Sequence, residues 1–271
     1  MQDFFDRHEK VALMFSGGKD SIACLHLIKN YLDKTTVVWV NTGASFPEIE
    51  ALMEETRQQV PHFLEIKTNQ PESIKSKGYP VDVVPVNYTV LGQSVTSIKD
   101  FKVRSYFECC AENFWLPCDA EVRKLGITGV IRGQRQSESH RAPIKSGYVE
   151  NGIEYNFPIE SWSDSEVIDY LKSKDVVIDE RLSMSHSSLD CWNCTAYMAE
   201  SKDRFNYIKK HHPAKYHSIV ETVKKIDNVL TAETSIYKGF LWIPTYPSLP
   251  PKWCNKTFMR HHRWWIQLPD S

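Results

Sequence analysis

Val11 to Leu32, VALMFSGGKDSIACLHLIKNYL, constrains this chain more than any other stretch. The apolar run Val11 to Phe15 reads as a short buried strand. Ser16-Gly17-Gly18 turns the chain, and from Asp20 or Ser21 the residues Ile22, Leu25, Ile28 and Leu32 recur at helical spacing. A strand, a glycine-rich turn and a helix start aim several backbone N–H groups at one point. The helix dipole and the unpaired amides act together there, which suits an anion. Gly17 and Gly18 let a ligand approach the backbone, Lys19 adds a positive charge, and Asp20 can hold Mg²⁺. A plain strand–turn–helix whose glycines merely permit φ > 0 is the weaker reading, because Ser-Gly-Gly-Lys-Asp-Ser specifies every residue of the turn in a fitting context. This is a phosphate site, though not a Walker A loop, which needs a longer spacer before its Gly-Lys.

Val37 to Val40 predicts a second strand whose Asn41-Thr42-Gly43 end lies beside the first loop. Pro47 suits a first helical turn, with Ile49, Leu52, Met53 and Val60 as an apolar face. Phe63 to Ile66 reads as a third strand. Strand–helix–strand–helix–strand at this spacing argues an α/β fold with a doubly wound parallel sheet, its ligands at the carboxyl ends of the strands. Val81 to Val86 offers a further strand, which Pro85 confines to an edge, and residues 87–105 read as a loop or lid. Ile127 to Ile131 is another buried strand, followed by Arg132-Gly133-Gln134-Arg135 and then Arg141. Asn151-Gly152, between Tyr- and Val-rich runs, signals a hairpin. Ser163 with Glu166 caps a helix that faces inward through Val167, Ile168 and Leu171. A helix-like segment spans about 202 to 229, and a Trp-, Pro- and His-rich tail follows from 240. Residues 1–200 are therefore expected to form the nucleotide-binding domain. Residues 201–271 are expected to form a helical, aromatic C-terminal appendage docked on it.

Of the 271 residues, 41% are apolar and 25% charged, with a net charge of −1, so no chain-wide basic field advertises nucleic acid. The N-terminus MQDFFDRHEK has no apolar signal core and no stretch is apolar enough for a membrane span, which predicts a cytoplasmic protein. In that compartment, the seven cysteines point to metal or redox chemistry rather than structural disulfides. Cys109-Cys110 and Cys191-x-x-Cys194 make a four-thiolate set suited to Zn²⁺ or a [4Fe–4S] cluster and too soft for Mg²⁺ or Ca²⁺. Adjacent cysteine side chains diverge, which is awkward on one tetrahedral ion. A cuboidal cluster offers each a separate iron, so the tandem pair favours iron–sulfur. Cys24 lies on the apolar helix face and reads as core; Cys118 and Cys254 have no partner at a telling spacing.

The order of these motifs resembles the phosphoadenosine-phosphosulfate (PAPS) reductase family of the ATP pyrophosphatase, or PP-loop, superfamily, whose fold is adenine-nucleotide α-hydrolase-like. The likeness rests on Ser16 to Ser21, on Asn41-Thr42-Gly43 with Phe46-Pro47-Glu48, and on Cys109-Cys110. It extends through Thr128 to Arg135 with Arg141-Ala142, and through Ile159 to Asp164 into Cys191-Trp192-Asn193-Cys194-Thr195. It covers roughly residues 10 to 200. By that resemblance Cys109, Cys110, Cys191 and Cys194 hold a [4Fe–4S] cluster. Ser16, Gly17, Gly18, Lys19, Asp20, Ser21, Asn41, Thr42 and Gly43 bind the nucleotide, together with Arg132, Gly133, Arg135 and Arg141. The arginines are expected to face its phosphate or sulfate as bidentate donors.

The chain also departs from the sulfonucleotide reductases. Their Glu-Cys-Gly-x-His-like tail is replaced by Lys252-Trp253-Cys254-Asn255-Lys256, and their basic pair after the tandem cysteines by Asn113-Phe114. The Lys-Asp-Ser that their loop has usually lost is intact here. A reductase needs a thiolate nucleophile, whereas an ATP-cleaving enzyme needs positive charge and Mg²⁺ at the β,γ-phosphates. Lys19 and Asp20 are therefore expected to be catalytic in an ATP pyrophosphatase that activates an acceptor for sulfur incorporation, by analogy tRNA thiolation or DNA phosphorothioation. Its expected partners are an adenine nucleotide, a cysteine desulfurase or other sulfur donor, and a nucleic-acid acceptor, within a homo-oligomer or hetero-complex. Two rivals are an adenylyl-sulfate or PAPS reductase with Cys254 or a partner's thiol as nucleophile, and a non-catalytic nucleotide-sensing subunit.

Overall fold

The computed structural model describes residues 1–98, 101–138, 145–184 and 190–241. The first third of the chain comprises α1 (Gln2–Arg7), β1 (Val11–Met14), α2 (Lys19–Leu27), β2 (Thr35–Asn41), α3 (Pro47–Gln59), β3 (Phe63–Lys67) and α4 (Gln70–Lys77). Next come β4 (Tyr79–Val81), α5 (Val90–Val95), β5 (Val103–Ser105), α6 (Tyr106–Cys110), α7 (Leu116–Lys124) and β6 (Gly129–Ile131). The last part holds β7 (Tyr148–Glu150), β8 (Ile153–Asn156), α8 (Asp164–Lys172), α9 (Glu180–Ser183), α10 (Lys202–His211) and α11 (Pro213–Leu241).

The main sheet has the order β3-β2-β1-β6-β8-β7, parallel throughout except for β7. β1 is central and buried on both faces, which is why it reads as an unbroken apolar run. Its residues alternate between two cores. Val11 and Leu13 join Phe4, Phe5, Ile22, Cys24, Val167, Leu171 and Ile208 on one side; Ala12 joins Val38, Val40, Cys118, Val122 and Val130 on the other. Helices thus cover both faces, as expected for a doubly wound sheet. The strand order reverses between β1 and β6, and the loops leaving their carboxyl ends open a crevice for ligand.

Asn151 and Gly152 take φ of 50° and 81° in the turn joining antiparallel β7 and β8, the primed turn their sequence predicts. Ser163 and Glu166 form a complete capping box on α8. Three expectations are corrected. The strand expected over Val81 to Val86 is only the end of β4, because the Asp82 carboxylate accepts the Tyr197 and Met198 amides at 2.8 and 3.0 Å and fixes the chain there as loop. The stretch 87–105 contains α5 and β5, and β5 pairs in parallel with β4 as a second, two-stranded sheet. The helix expected from 202 to 229 breaks at His212, whose φ and ψ of −134° and 59° are non-helical, as the ring of Pro213 demands.

By its internal packing the chain divides into two units, Met1–Asn228 and Val229–Ser271. α10 packs into the core of the first through Tyr207 and Ile208. Arg141, Cys254 and the aromatic tail from 242 lie outside the described residues. Among the described residues no helix is long and apolar enough to cross a membrane.

Candidate active site

Four segments distant in the chain meet at the carboxyl end of β1. In the turn that follows it, Gly17 has φ +75°, and a Cβ there would lie 2.8 Å from Leu52 Cδ2 of α3. The positive φ favours glycine here, and any larger residue would also have to push the Leu52 side chain aside. The Ser16 hydroxyl accepts from the Gly18 amide at 3.4 Å, and Ser21 Oγ donates to the Gly18 carbonyl at 3.0 Å, so two serines brace the turn. The Ile22 amide bonds back to Gly18 O at 3.0 Å and is the first bond of the helix ladder; a helix's first-turn amides lie ahead of that ladder, where they can face an anion.

Lys19 and Arg135 are buried here, at 7% and 1% exposure, and each lies between the same two carboxylates. Lys19 Nζ is 3.6 Å from Asp20 Oδ2 and 3.3 Å from Asp164 Oδ1. Arg135 donates from Nε to Asp20 Oδ1 at 2.8 Å and from Nη2 to Asp164 Oδ1 at 2.7 Å. One such pair gains about 4 kcal/mol at an effective dielectric of about 20, comparable to the several kcal/mol that burying a guanidinium costs. Two carboxylates therefore offset the burial of the Arg135 guanidinium with a margin. Burial works to raise the Asp164 carboxyl, but the Lys19 and Arg135 charges outweigh it and hold it below the usual carboxylate range. Gly133 makes the approach possible: a Cβ there would sit 2.8 Å from the Asp20 carbonyl carbon.

Beside this quartet lies a cavity of about 720 Å³ lined by Ser16, Asp20, Ser21, Arg132, Gly133 and Gln134, with an apolar wall that includes Trp39, Phe114, Trp115 and Tyr155. The Arg132 guanidinium lies 5.0 Å from the centre of the Tyr155 ring, its buried Nε has no hydrogen-bond partner, and no ion pair to it is found among the described residues. An aromatic wall with a free cation at its edge suits a nucleotide.

Two residues of the site were missed by sequence reasoning. Asp164 appears there only as the end of the Ile159–Asp164 stretch that carries the resemblance, with no role, although a capped helix following β8 must start at the same end of the sheet as the loop. Arg181 belongs to no pattern. Its Nη1 donates to the Gly17 carbonyl, and Lys19 Nζ donates to Met184 O at 3.3 Å, so residues 181–184 strap the turn.

The end of β2 is used differently from expectation. Asn41 Nδ2 donates to Glu65 Oε1 at 2.8 Å and its Oδ1 accepts from the Gly43 amide at 3.0 Å. Thr42 Oγ1 lies 3.2 Å from Cys191 Sγ. With their polar groups engaged by these neighbours, Asn41, Thr42 and Gly43 do not line the larger cavity.

The four predicted cysteines do converge. Cys109 and Cys110 from α6, and Cys191 and Cys194 from the turn before α10, line a second cavity of about 300 Å³. Burial raises the Cys109 and Cys191 thiols and, with Cys194 and Cys109 adding to it, pushes Cys110 up to about 12. A bound metal centre would hold its cysteine ligands as thiolates. Among the described residues no three His, Cys, Asp or Glu side chains gather so as to hold a single metal ion. The four thiols nonetheless line one space, and four sulfur donors are the donor chemistry an iron–sulfur cluster takes. Cys24 is fully buried in the core, as expected. Phe114, Trp115 and Asp190 line both cavities. The two aromatics sit on a single π-helical turn, Ala111–Trp115, an irregularity frequent at functional sites.

The family model of the phosphoadenosine phosphosulfate reductase domain matches residues 10–197. The chain is 24% identical over 245 residues to an uncharacterized protein of Methanocaldococcus jannaschii, covering 88% of this chain and 52% of that one. It is 27% identical over 146 residues to the adenosine 5′-phosphosulfate reductase of Mycobacterium tuberculosis, covering 52% of this chain and 56% of that enzyme. The chain thus spans about half the length of these curated relatives. The crystal structure of a PAPS reductase from Candida auris, a phosphate complex, aligns with a TM-score of 0.48 at 16% identity, over 69% of this chain and 83% of that one. The family match runs from the phosphate turn through both arginines to all four converging cysteines, and the chain belongs to the phosphoadenosine phosphosulfate reductase domain family.

Proposed function

We propose that the chain is an ATP pyrophosphatase of sulfur metabolism that activates a nucleic-acid acceptor for sulfur incorporation. The observation that carries this reading is the Lys19–Asp20–Arg135–Asp164 quartet at the amino end of α2, behind an intact Ser-Gly-Gly-Lys-Asp-Ser turn. An acceptor oxygen attacks the α-phosphorus, the bond from that phosphorus to the bridging oxygen breaks, and pyrophosphate leaves with the electron pair. The Gly17, Gly18 and Ser21 amides cradle the pyrophosphate, and Lys19 neutralises its charge. Mg²⁺, held by Asp20, would add charge neutralisation at the β,γ-phosphates. Arg132 meets the remaining anionic oxygens with its unpaired Nε. AMP is then displaced by sulfur from a cysteine desulfurase or another donor, in a homo-oligomer or a complex with that donor. Cys109, Cys110, Cys191 and Cys194 would hold a [4Fe–4S] cluster, which supplies electron transfer or sulfur ligation beside the nucleotide when bound.

A second reading, reduction of a sulfonucleotide to sulfite, is favoured by the adenosine 5′-phosphosulfate reductase relatives and by the walls common to the two cavities. Protein purified without oxygen and given ATP, adenylyl sulfate or PAPS in turn tests both. Pyrophosphate from ATP is expected. Sulfite from a sulfonucleotide and a thiol donor, without pyrophosphate from ATP, would replace the first reading with the second. Binding without either product would leave a nucleotide-sensing subunit.

A further inference from the structure

Behind the tandem cysteines lies a buried polar group that the phosphate chemistry does not use. Arg104 on β5 is 4% exposed. Its Nη1 donates to Glu112 Oε2 at 2.6 Å, and its Nη2 donates to Ser73 Oγ at 2.7 Å and to Cys109 Sγ at 3.2 Å. Its Nε is buried without a partner. Lys77 Nζ donates to the other oxygen of Glu112 at 2.6 Å. Two cations therefore share one carboxylate, and a surplus positive charge sits against the sulfur of Cys109.

A half-share in a carboxylate that is itself 37% exposed offsets the burial of a guanidinium only in part. A neutral thiol is a weak acceptor and adds little, whereas an anionic sulfur makes a charge-assisted hydrogen bond with about twice the strength of a neutral one. Arg104 is thus placed where negative sulfur would complete its surroundings. Asn113 Nδ2, from the same side, donates to the Cys109 carbonyl at 2.9 Å and fixes the backbone of that ligand.

We infer that Arg104 is the charge-setting and positioning residue of the thiolate centre, donating to the Cys109 sulfur and holding the bound cluster at a higher reduction potential than four thiolates alone would give. Reduction adds one electron's negative charge to the centre, and a fixed cation at the sulfur favours that state. The inference rests on the reading of the four cysteines as cluster ligands.

The test uses the full chain purified without oxygen, as wild type, Arg104→Met, Arg104→Lys and Glu112→Gln. Iron per chain, the paramagnetic resonance spectrum after dithionite reduction and the midpoint potential are measured. A lowered potential in Arg104→Met, a smaller drop in Arg104→Lys and a raised potential in Glu112→Gln are expected, each with an altered resonance spectrum. If Arg104→Met does not fold, the other two variants carry the comparison. Iron-loaded variants whose potential and spectrum match the wild type would overturn the role of Arg104 alone. Wild-type protein holding zinc or no iron would overturn the cluster reading and this inference together.

Discussion

Arg135 and Asp20 are 115 positions apart in the chain, yet the guanidinium Nε of one donates to the carboxylate of the other at 2.8 Å. That contact joins the loop leaving β6 to the first turn of α2, the two lips of the crevice where the strand order reverses. Replacing Arg135 by Lys keeps a charge but loses the fork that reaches Asp20 and Asp164 together. Turnover is expected to fall by about a hundredfold, measured as pyrophosphate release from ATP. Arg135→Met should also cost about 2 kcal/mol of stability, less than a fully buried pair because both carboxylates touch solvent. A urea titration reads that loss.

Gly133→Ala tests the closeness of the two lips. The new methyl group would meet backbone atoms of Asp20, which cannot swing aside as a side chain can. A stability loss of about 1–3 kcal/mol from overpacking is expected, read by urea titration, and nucleotide affinity is expected to fall because the methyl group forces the two lips apart. Gly126→Ala is the control. It has φ +67° but open space around it, so it should cost about 1 kcal/mol and leave nucleotide affinity unchanged by calorimetry.

Asp164 gives the site an acid limit. Its carboxyl is held low in the folded chain. The stability it contributes is therefore complete above the ordinary aspartate value of about 3.9 and is lost as pH falls through the lower folded value. Asp164→Asn should flatten the acid limb of a plot of urea midpoint against pH and leave the neutral region less affected. An acid limb as steep in the variant as in the wild type would count against the quartet as a charged network.

The cysteines separate by role. Cys191→Ser should abolish the brown colour and the roughly four irons per chain expected of a single cluster. Cys24→Ser should keep both while losing about 1–3 kcal/mol, because it buries a hydroxyl in an apolar core. Stoichiometric zinc in iron-replete, oxygen-free preparations would contradict the iron–sulfur expectation.

Cys254, flanked by Lys252 and Lys256 but also by Trp253, distinguishes the two chemistries. Cys254→Ser is expected to leave turnover nearly intact, and the wild type to form no S-sulfonate with adenylyl sulfate. A mass increase of one sulfonate on Cys254, absent in the variant, would install the reductase.

The sheet, the phosphate turn, the hairpin and the capping box were legible because each rests on neighbouring residues: an apolar run, Gly17-Gly18, Asn151-Gly152, Ser163 with Glu166. The break at His212 was legible in principle from Pro213. What could not be read were partnerships set by topology. Asp164 and Arg181 reach the turn only because α8 and α9 lie at its end of the sheet, and Arg104 meets Cys109 only because β5 runs straight into α6. Thr42 lay beside the phosphate turn in the sequence reading, yet it faces a thiol brought from residue 191. The two-residue spacing of Asn41 and Gly43 gives no hint of Glu65 as a competitor for the side-chain amide.

Trp115, 42% exposed on its π-helical turn, borders both the nucleotide space and the thiol space. An indole in that position is a built-in optical gauge. Were a base to stack on one side or an iron–sulfur centre to sit on the other, its emission would change. The part of the signal lost in Trp115→Phe would then report, without any label, the order in which the two chambers fill.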